Sequence, residues 1–586
     1  MKDFSGRLKQ MLITVWQANR RWIIMIFSTF TVIVMGYAGF YQYFIQHNLP
    51  TRFLSLLYVT LQLFMMESGA VEGPPPLLLE LARYAAPLIP LWALIEILIH
   101  LFKNQIKMLR FGSSRSHTIV CGLNDESIYL IKNLAARGVR VVAVDTNPAD
   151  DIIQLCKKSN VFLISGNPAE EHVLERARAF CARHIVVFKS EDDENLQIAL
   201  SAYQTSKKHC ALSPEATRCL VHVKDMTLFD LFRNHRIFGA ISSVFEIQMF
   251  NIFETAARRL FLTHPLDREH ISEQSPLRPH LILIGFGAMG QSIALYAAKI
   301  GHFANGKKLK ISALDRNIEK THRDFLNEYP AITNICDIEF RDDNEHYSKN
   351  LDLIRSWTMD ESTITSVVLT LDEDWQDMKC ALRNLQHLRD LNVPIFMRIS
   401  KDTQLMSLTE SETMQTNLMA RVFAFGKLED ICSSRAILDE PLDSVARIIH
   451  NKYVEQRRSE GAELDSSLAP WELLHPVKKE SNRLQADHIG IKLRAVGRIK
   501  ANEPLPKAIS PFTDGEVEAL ARMEHDRWCA ERFLAGWRFG QVRDENNKIS
   551  PYLAGWDNLE ERIKEYDRQA VRQIPELLRY LHSASQ

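Results

Sequence analysis

The sequence predicts a multidomain protein with an α-helical transmembrane hairpin, two tandem α/β domains with parallel sheets, and a mostly helical C-terminal domain. Three observations lead to this fold class. Two long apolar segments lie within the first 102 residues, a strand–turn–helix–strand pattern begins near residue 118 and again near residue 280, and the composition changes after residue 465. At about 150 residues per domain, a chain of 586 residues has room for three or four domains.

The predicted domain boundaries follow these changes. They are an N-terminal segment at 1–21, a hairpin at 22–112 with spans at about 22–44 and 85–102 and a candidate pore helix at 53–66, a first α/β domain at 115–265, a second at 278–435, a connector at 436–464 and a C-terminal domain at 465–586. The composition of the connector indicates only a charged helical segment.

Composition and charge exclude several classes of function. The formal net charge is −1, so no nucleic-acid partner is predicted. The nine cysteines include no C-x-x-C pair, which argues against a zinc site and against a disulfide framework and favours a reducing compartment. We therefore predict no metal site.

The first apolar segment has the length of a membrane span. Trp22–Phe44 contains no formal charge and exceeds the ~20 residues that cross a bilayer. Basic residues precede this span and follow the second one: Lys2, Arg7, Lys9, Arg20, Arg21, Lys103, Lys107 and Arg110. By the positive-inside rule both termini are cytoplasmic. We expect a protein of the plasma (inner) membrane, with the lipid bilayer as a partner.

A shorter apolar stretch lies between the spans. Phe53–Met66 is too short to cross a bilayer, so it is either an interfacial helix or loop, or a re-entrant pore helix that ends at the turn Glu67-Ser68-Gly69. No T-V-G-Y-G-like run follows, so potassium selectivity is not predicted. Glu67 and Glu72 would favour monovalent cations at a pore mouth, or they are simply solvated.

Glu96 lies in the middle of the second span. A lipid-facing charge there costs at least ~2.5 kcal/mol. We therefore expect Glu96 to face a water-filled lumen or a partner subunit, where it lines a pore or forms a hydrogen bond between helices.

The segment from His280 to Asp315 contains a nucleotide-binding pattern. An apolar strand is followed by Gly285, Gly287 and Gly290 at G-x-G-x-x-G spacing, then by a helix-period run and a second strand that ends on Asp315. These glycines allow a tight turn, close approach of the backbone to a diphosphate, and packing of the helix on the strand. The helix N-terminus favours phosphate, and Asp315 is placed for a ribose diol. We predict a Rossmann-like fold here and count Arg316, which follows Asp315, with the candidate site.

The first α/β half repeats this pattern in degraded form. Gly122, Asn124 and Ser127 occupy the three glycine positions, and Asp145 ends the second strand. Asn124 restricts backbone approach, so a nucleotide is less expected here than in the second half. Each half shows a six-strand, doubly wound pattern, and Val244–Phe261 is predicted to join the halves as an amphipathic helix.

The tandem halves resemble the TrkA-N (RCK N-lobe) family. The resemblance rests on the glycine turns, the strand-ending acids, Gly166-Asn167-Pro168 and Asp192–Leu196, and it covers about 115–435. It implies domains on the cytosolic side of potassium channels and transporters that bind NAD, NADH, ATP or ADP and transmit binding to a pore. Some relatives carry two copies below a two-helix pore, as is predicted here.

The C-terminal segment combines a predicted helix, Asp514–Leu534, with a loop that is rich in tryptophan, arginine and lysine. Such a loop offers stacking faces and phosphate-pairing cations, although the tryptophans also suit the core of a small helical domain. Asp557 or Asn558 is predicted to cap the last helix.

This segment resembles the RyR (ryanodine-receptor repeat) domain. The matching runs are Glu524-His525-x-x-Trp528, Gly536-Trp537-x-Phe539-Gly540-x-x-Arg543-Asp544 and Lys548-x-x-Pro551. The family usually has Tyr in place of Phe539 and His in place of Ser550. The resemblance implies a pocket for an adenine-nucleotide-like ligand. Its predicted lining is His525, Trp528, Arg532, Trp537, Arg543, Asp544, Lys548 and Tyr552.

Together these features predict a ligand-gated, channel-like membrane protein. We expect a homo-oligomer, a tetramer by family resemblance, whose cytosolic domains bind NAD(H) or an adenine nucleotide and gate a two-span pore, with bacterial defence by depolarisation as a subsidiary hypothesis. The alternative is a membrane-anchored nucleotide sensor or scaffold without a pore. No acid–base set accompanies the glycine loop, so we predict neither catalytic residues nor an enzyme.

Overall fold

The chain folds into two compact units, Met1–Ser114 and Arg115–Gln586. The computed structural model describes residues 2–67, 71, 73–112, 116–209, 216–225, 228–229, 245–316, 318–342, 347–370, 393–399, 422–439, 441–459, 467–501 and 503–583.

The first unit is a helical hairpin. Its helices are α1 (Lys2–Gln46), α2 (Phe53–Gln62), which is continued by a 3₁₀ turn at Leu63–Met65, and α3 (Leu77–Gly112). Among the described residues, two segments are long and apolar enough to cross a membrane, Trp22–Gln46 and Leu77–Ile99, with the shorter apolar helix between them. The second begins before the predicted span because α3 starts at Leu77 and includes Glu80 and Arg83, and it continues through Pro87 and Pro90. Neighbouring helices and local adjustments allow proline inside membrane helices.

Helices α1 and α3 approach each other closely at Gly39. A Cβ on Gly39 would lie 2.6 Å from the backbone nitrogen of Leu79, so only glycine fits there. The buried core around this contact consists of Val32, Phe40, Tyr43, Phe44, Leu56, Leu63, Leu79, Ala82 and Ala86. Phe27 is 72% exposed and Tyr84 75% exposed. An apolar surface of this kind fits lipid or further subunits.

We predict that Gly39→Ala separates α1 from α3. Its methyl group would meet the backbone of Leu79, which cannot rotate away. Overpacking of this kind costs about 1–3 kcal/mol. The matched control is Gly36→Ala, whose Cβ would meet only side-chain atoms, at 3.0 Å from Thr60 Cγ2 and beyond. Thermal unfolding in detergent should show a lower midpoint for Gly39→Ala than for Gly36→Ala, and equal midpoints would contradict the prediction.

The second unit begins with a parallel sheet in the strand order β3-β2-β1-β4-β5-β6. Its strands are β1 (Thr118–Cys121), β2 (Val141–Asp145), β3 (Phe162–Ser165), β4 (His184–Val187), β5 (Thr217–His222) and β6 (Phe245–Phe250). Its helices are α4 (Asp125–Ala136), α5 (Asp150–Lys158), α6 (Glu171–Arg176) and α7 (Asp192–Lys208).

The predicted joining helix at Val244–Phe261 is wrong over its first part. Residues 245–250 form β6, and a helix, α8 (Ile252–Thr263), begins only after Asn251. Phe245 and Ile247 are buried while Glu246 is half-buried, which is the period-two alternation of a strand. The side chain of Asn251 then accepts hydrogen bonds from the N–H groups of Phe253 and Glu254 and fixes the start of α8.

A second parallel sheet repeats the topology in the order β12-β11-β10-β7-β8-β9. Its strands are β7 (Arg278–Ile284), β8 (Lys310–Asp315), β9 (Asp337–Asp342), β10 (Thr363–Leu369), β11 (Ile395–Arg398) and β12 (Val422–Phe425). Its helices are α9 (Ala288–Ile300), α10 (Ile318–Glu328), α11 (Ile332–Ile335) and α12 (Tyr347–Thr358). The two six-stranded sheets confirm the tandem Rossmann-like prediction.

The remainder of the chain is mostly helical. It contains α13 (Leu428–Ile431), a π-helical turn at Arg435–Asp439, a 3₁₀ turn at Pro441–Asp443, α14 (Ser444–Ser459), α15 (Pro476–Asp487), α16 (Ile489–Ala495), α17 (Asp514–Leu534), the short strands β13 (Arg538–Phe539) and β14 (Ile549–Ser550), α18 (Glu561–Arg572) and α19 (Ile574–Ser583). Helix α14 lies within the predicted connector, yet its Ala446 and Ile449 share one core with Leu493 and Leu577. This part of the connector is therefore integral to the C-terminal domain.

The predicted cap of the last helical segment is wrong. Asp557 and Asn558 lie in a 3₁₀ turn, and α18 begins at Glu561 after Glu560. The reason is Trp556, whose buried indole Nε1 donates to Glu518 Oε1 at 3.1 Å and holds this turn against α17.

Candidate functional site

The second glycine loop is tightly built. Gly285 has φ +95°, and the N–H of Phe286 donates to Asp315 Oδ2 at 2.6 Å. Thr370 Oγ1 donates to the carbonyl oxygen of Gly285 at 2.7 Å. A Cβ on Gly290 would lie 2.4 Å from that same oxygen, so the loop closes over α9 only with glycine there.

The N-terminus of α9 is open. Its N-cap residue is Gly287, and no described side chain caps it. The N–H groups of the first turn therefore have no intrahelical partner and point outward with the positive end of the helix dipole. This end lies between β7 and β10, where the strand order reverses, which is where ligands of doubly wound sheets bind.

Beside the loop lies an open cleft of about 730 Å³. It extends from Gln291 on α9 to Asp342 at the end of β9 and includes the predicted site residue Arg316. The other charged residues that line it are Glu319, Lys320, Arg323, Asp324 and Glu328. Both signs of charge are present, so the cleft suits a polar ligand but has no overall anionic preference.

The first glycine loop differs because its helix is capped. The Asn124 side chain accepts from the N–H of Ser127, and Ser127 Oγ accepts from the N–H of Asn124, both at 2.9 Å. Asn124 Nδ2 also donates to the Phe188 carbonyl at 3.1 Å. Asp145 accepts from the Leu123 N–H at 2.7 Å. The side chain of Asn124 therefore occupies the position that a phosphate would need, which is a stronger obstacle than the restricted approach predicted from sequence.

The Asp192–Leu196 motif organises the loops at this end of the first sheet. Asn195 is fully buried, accepts from the Lys189 N–H at 2.7 Å and donates to the His222 carbonyl at 3.0 Å. Asp192 accepts from the N–H groups of Lys224 and Asp225. The motif thus fixes the strand-end loops.

In the C-terminal domain the structure brings three of the predicted pocket residues together. The guanidinium of Arg532 lies 5.6 Å from the ring centroids of both Trp528 and Trp537. Its Nε is buried and has no hydrogen-bond partner among the described residues. Lys548 joins the turn that carries Trp537, because its Nζ donates to the Ala535 carbonyl at 2.8 Å. An arginine held between two aromatic faces keeps a fixed orientation for an anionic group.

Arg543, Asp544 and Tyr552 do not join this cluster through any described contact, whereas the ring of His525 lies 6.0 Å from that of Trp528, centroid to centroid. Arg543 pairs with Glu545 at 2.6 Å on the exposed surface, and Asp544 accepts from Asn547. The described hydrogen bond of Tyr552 is local, from its backbone N–H to Ser550 Oγ.

His525 lies in the domain core. It is 2% exposed, with Nε2 at 2.8 Å from the Ala554 carbonyl and 3.3 Å from Cys529 Sγ, and Nδ1 at 3.3 Å from Asp567. Burial alone lowers its pKa, but the bonds with Asp567, Cys529 and Ala554 outweigh that effect and raise the pKa of His525 to about 10. His525 is therefore a buried imidazolium that joins α17 to α18.

We predict that this ion pair makes the C-terminal domain sensitive to alkali. Because the folded pKa of about 10 lies above the ordinary value of 6.5, the stabilisation is complete below pH 6.5 and is lost as the pH rises towards 10. The loss should be on the order of a few kcal/mol. Thermal unfolding of His525→Gln should change less than that of the native protein between pH 7 and 10. Parallel pH profiles would contradict the prediction.

The candidate pore residues differ in exposure. Glu67 is exposed at the end of the short apolar helix and accepts from Gln62 at 3.4 Å. Glu96 is half-buried on α3. Ser68, Gly69 and Glu72 lie outside the described residues.

Sequence reasoning missed Thr370. The signal for it was a polar residue immediately after a buried strand, at the sheet edge where ligands of this fold bind.

Comparisons with known proteins agree with two of these domains. The family model of the TrkA-N domain matches residues 118–218, and that of the RyR domain matches residues 508–584. These matches confirm the TrkA-N resemblance for the first α/β half and the RyR resemblance for the C-terminal segment. The voltage-gated potassium channel Kch of Escherichia coli (strain K12) is 30% identical over 129 residues, which are 22% of this chain and 31% of that protein. The match thus spans less than a third of that relative.

Several solved structures are similar to this chain. The GsuK channel bound to NAD has 14% identity and a TM-score of 0.39, with 72% of this chain and 82% of that chain covered. GsuK bound to ADP has 17% identity and a TM-score of 0.37, with 69% and 94% covered. The human SLO3 gating ring has 13% identity and a TM-score of 0.37, with 59% and 85% covered.

Proposed function

We propose that this chain, a membrane-hairpin protein with a TrkA-N domain and a RyR domain, is a ligand-gated, channel-like protein that senses a nucleotide through its second glycine loop. The observation that carries the proposal is the contrast between the two loops. Helix α9 presents an uncapped N-terminus behind G-x-G-x-x-G, whereas α4 is closed by Asn124. The likeness of part of the chain to a potassium channel supports a role in ion transport.

The chemistry of the loop favours a phosphate next to a ribose. The backbone N–H groups of the first turn of α9 would bind the phosphate, and Gly287 allows it to approach. Asp315 ends β8 where a ribose diol is expected, although one of its oxygens accepts from Phe286. The ligand class is therefore NAD(H) or an adenine nucleotide, at one site per chain.

Gating would follow from linkage. A nucleotide that binds the open state more tightly than the closed state shifts the pore equilibrium by that difference in affinity. A pore built from two-span hairpins requires several copies of the chain, and we propose a tetramer in the plasma membrane with cytoplasmic termini. Within this proposal the chain senses and conducts, and it catalyses no reaction.

The test is mass analysis of the purified protein in detergent, before and after denaturing release of small molecules. We expect about one dinucleotide or adenine nucleotide per chain, as one open loop requires. If nothing is released, the emptied protein should bind added NAD, ADP or ATP. Failure of both would overturn the nucleotide assignment.

The second candidate is a membrane-anchored sensor without a pore, which the lack of a T-V-G-Y-G-like run between the spans favours. Substitutions of Glu96 distinguish a conducting pore from an anchored sensor. If it lines a pore, we predict that Glu96→Leu lowers ligand-dependent cation flux into liposomes about tenfold or more, while Glu96→Gln lowers it less. Unchanged flux and toxicity with intact oligomers would favour the anchored sensor.

The RyR domain supplies a second candidate ligand site. The fixed guanidinium of Arg532 and the faces of Trp528 and Trp537 suit an anionic, aromatic compound such as a nucleotide derivative. If the protein is a bacterial defence effector, this ligand would trigger depolarisation of the cell. A membrane potential that stays unchanged with ligand-activated protein would exclude that role.

A further inference from the structure

Helix α9 connects the second glycine loop to the C-terminal domain. Its first turn follows the loop, and every residue from Met289 to Ile300 except the half-buried Gln291 is buried. Because the helix has almost no contact with solvent, a shift at its first turn has to be absorbed by the elements packed around it.

The far half of α9 is bound to α15 through a buried acid. Tyr296 Oη donates to Asp487 Oδ2 at 2.5 Å, and Arg258 on α8 donates to both oxygens of Asp487, at 2.7 and 3.0 Å. The Tyr296 ring is parallel to that of Phe261, with centroids 6.3 Å apart. Asp487 therefore joins α8, α9 and α15 at one point.

Two further contacts tie the end of α9 to the same domain. Lys299 Nζ lies 3.5 Å from Glu480 on α15 and 3.6 Å from Glu254 on α8. The carbonyl of His302, just after α9, accepts from His488 Nε2 at 3.0 Å. Glu480 and His488 are buried and Glu254 is half-buried, so replacing these pairs by other pairings in the protein interior would cost free energy.

From α15 the contacts continue to the Arg532 cluster. Ser481 donates to Glu531 at 3.1 Å, and Lys492 on α16 pairs with Glu524 at 2.5 Å. Glu531 and Glu524 lie on α17, the helix that carries Trp528 and Arg532.

We propose that α9 couples the two ligand sites, so that a nucleotide at Gly285–Gly290 changes the ligand affinity of the Trp528–Arg532–Trp537 cluster, and the reverse. This inference rests on the proposed nucleotide site. The shared element is Asp487, which the α9 hydroxyl and the α8 guanidinium hold together. If α9 moves alone, its bond to Asp487 weakens in the protein interior, which costs free energy. We therefore expect α15 to move together with α9. Coupling between binding sites is reciprocal.

The experiment is hydrogen–deuterium exchange on the full-length protein in detergent, with and without NAD or ADP. We expect altered exchange at 285–300 and also at 476–495 and 514–534. Tyr296→Phe, which removes only the hydroxyl bonded to Asp487, should keep the change at 285–300 and lose about half or more of the change at 476–495. Tyr566→Phe removes the same atom from a side chain that is 62% exposed on α18, and it should behave like the native protein.

Each outcome is decisive. A nucleotide effect at 285–300 with unchanged exchange at 476–495 overturns the coupling and leaves the nucleotide site standing. An effect at 476–495 that survives in both Tyr296→Phe and Lys299→Met shows that the side-chain bonds of α9 do not carry the coupling and also overturns the inference. No effect at 285–300 with either nucleotide overturns the proposed nucleotide site and the coupling with it.

Discussion

Gly287→Asn is expected to abolish nucleotide binding at the second loop without destabilising the domain. Gly287 is the N-cap of α9 and has φ −71°, a conformation that any residue adopts. An asparagine there can accept from the N–H of Gly290, as Asn124 accepts from Ser127 in the first half. Because it gives this N–H a side-chain acceptor, it should stabilise the helix by up to a few tenths of a kcal/mol relative to glycine. The same side chain occupies the phosphate position, so we expect affinity to fall about a hundredfold or more.

The matched control is Asn124→Gly in the first half. It removes the existing cap and should cost a few tenths of a kcal/mol, and nucleotide should still bind the second loop with native affinity if that loop is the site. Titration calorimetry with NAD and ADP, beside thermal unfolding, separates affinity from stability. Gly287→Asn that binds nucleotide with native affinity would show that the α9 N-terminus is not the phosphate site.

The periodicities that predicted the sheets are local properties of the sequence. Leu281–Ile284 is continuously apolar because β7 is covered on both faces, and Asp315 ends β8 where it was expected. The alternation of apolar and polar residues in Phe245–Met249 is equally local. The apolar residues that follow in α8 have helical spacing, and for this reason a helix was predicted over the strand as well. The amide of Asn251, which separates the two elements, was the overlooked signal.

Some properties of the candidate sites could not be predicted from the sequence, because they depend on contacts between residues that are far apart in the chain. Asn124 could be read as a poor second glycine, but its role as a cap depends on Ser127 and on Phe188, which directly follows β4. His525 has the chemistry of a ligand-binding residue, and only its pairing with Asp567 shows a core ion pair. The attachment of the C-terminal domain to α9 depends on residues 191 positions apart, Tyr296 and Asp487. No periodicity in the sequence reports such pairs.

Arg258→Met should be the most destabilising substitution considered for the second unit. The Arg258 guanidinium is buried and donates to Asp487, to Asp443 at 2.6 Å and to the Leu442 carbonyl at 2.8 Å. Without it, Asp443 retains Arg483, but among the residues that the structure describes Asp487 retains only the Tyr296 hydroxyl. Removing one partner of a buried ion pair costs about 3–5 kcal/mol, and we expect a loss of that size in denaturant unfolding followed by tryptophan fluorescence.

The adjacent residue provides the control. Arg259 pairs with Asp430 at 2.8 Å, but its side chain is 40% exposed, so Arg259→Met should cost less than about 1 kcal/mol.

Burial already raises the pKa of Asp487 even beside Arg258. In Arg258→Met the pKa of Asp487 rises further. The loss of unfolding free energy is therefore larger at a pH above the ordinary carboxyl pKa, and it is smaller in acid, where Asp487 is protonated in both the folded and the unfolded state. Asp487→Asn in the Arg258→Met background should likewise recover part of the loss, because it removes the unpaired charge and keeps an acceptor for Tyr296. A loss that is independent of pH and is not recovered by Asp487→Asn would mean that Arg258 acts through packing alone.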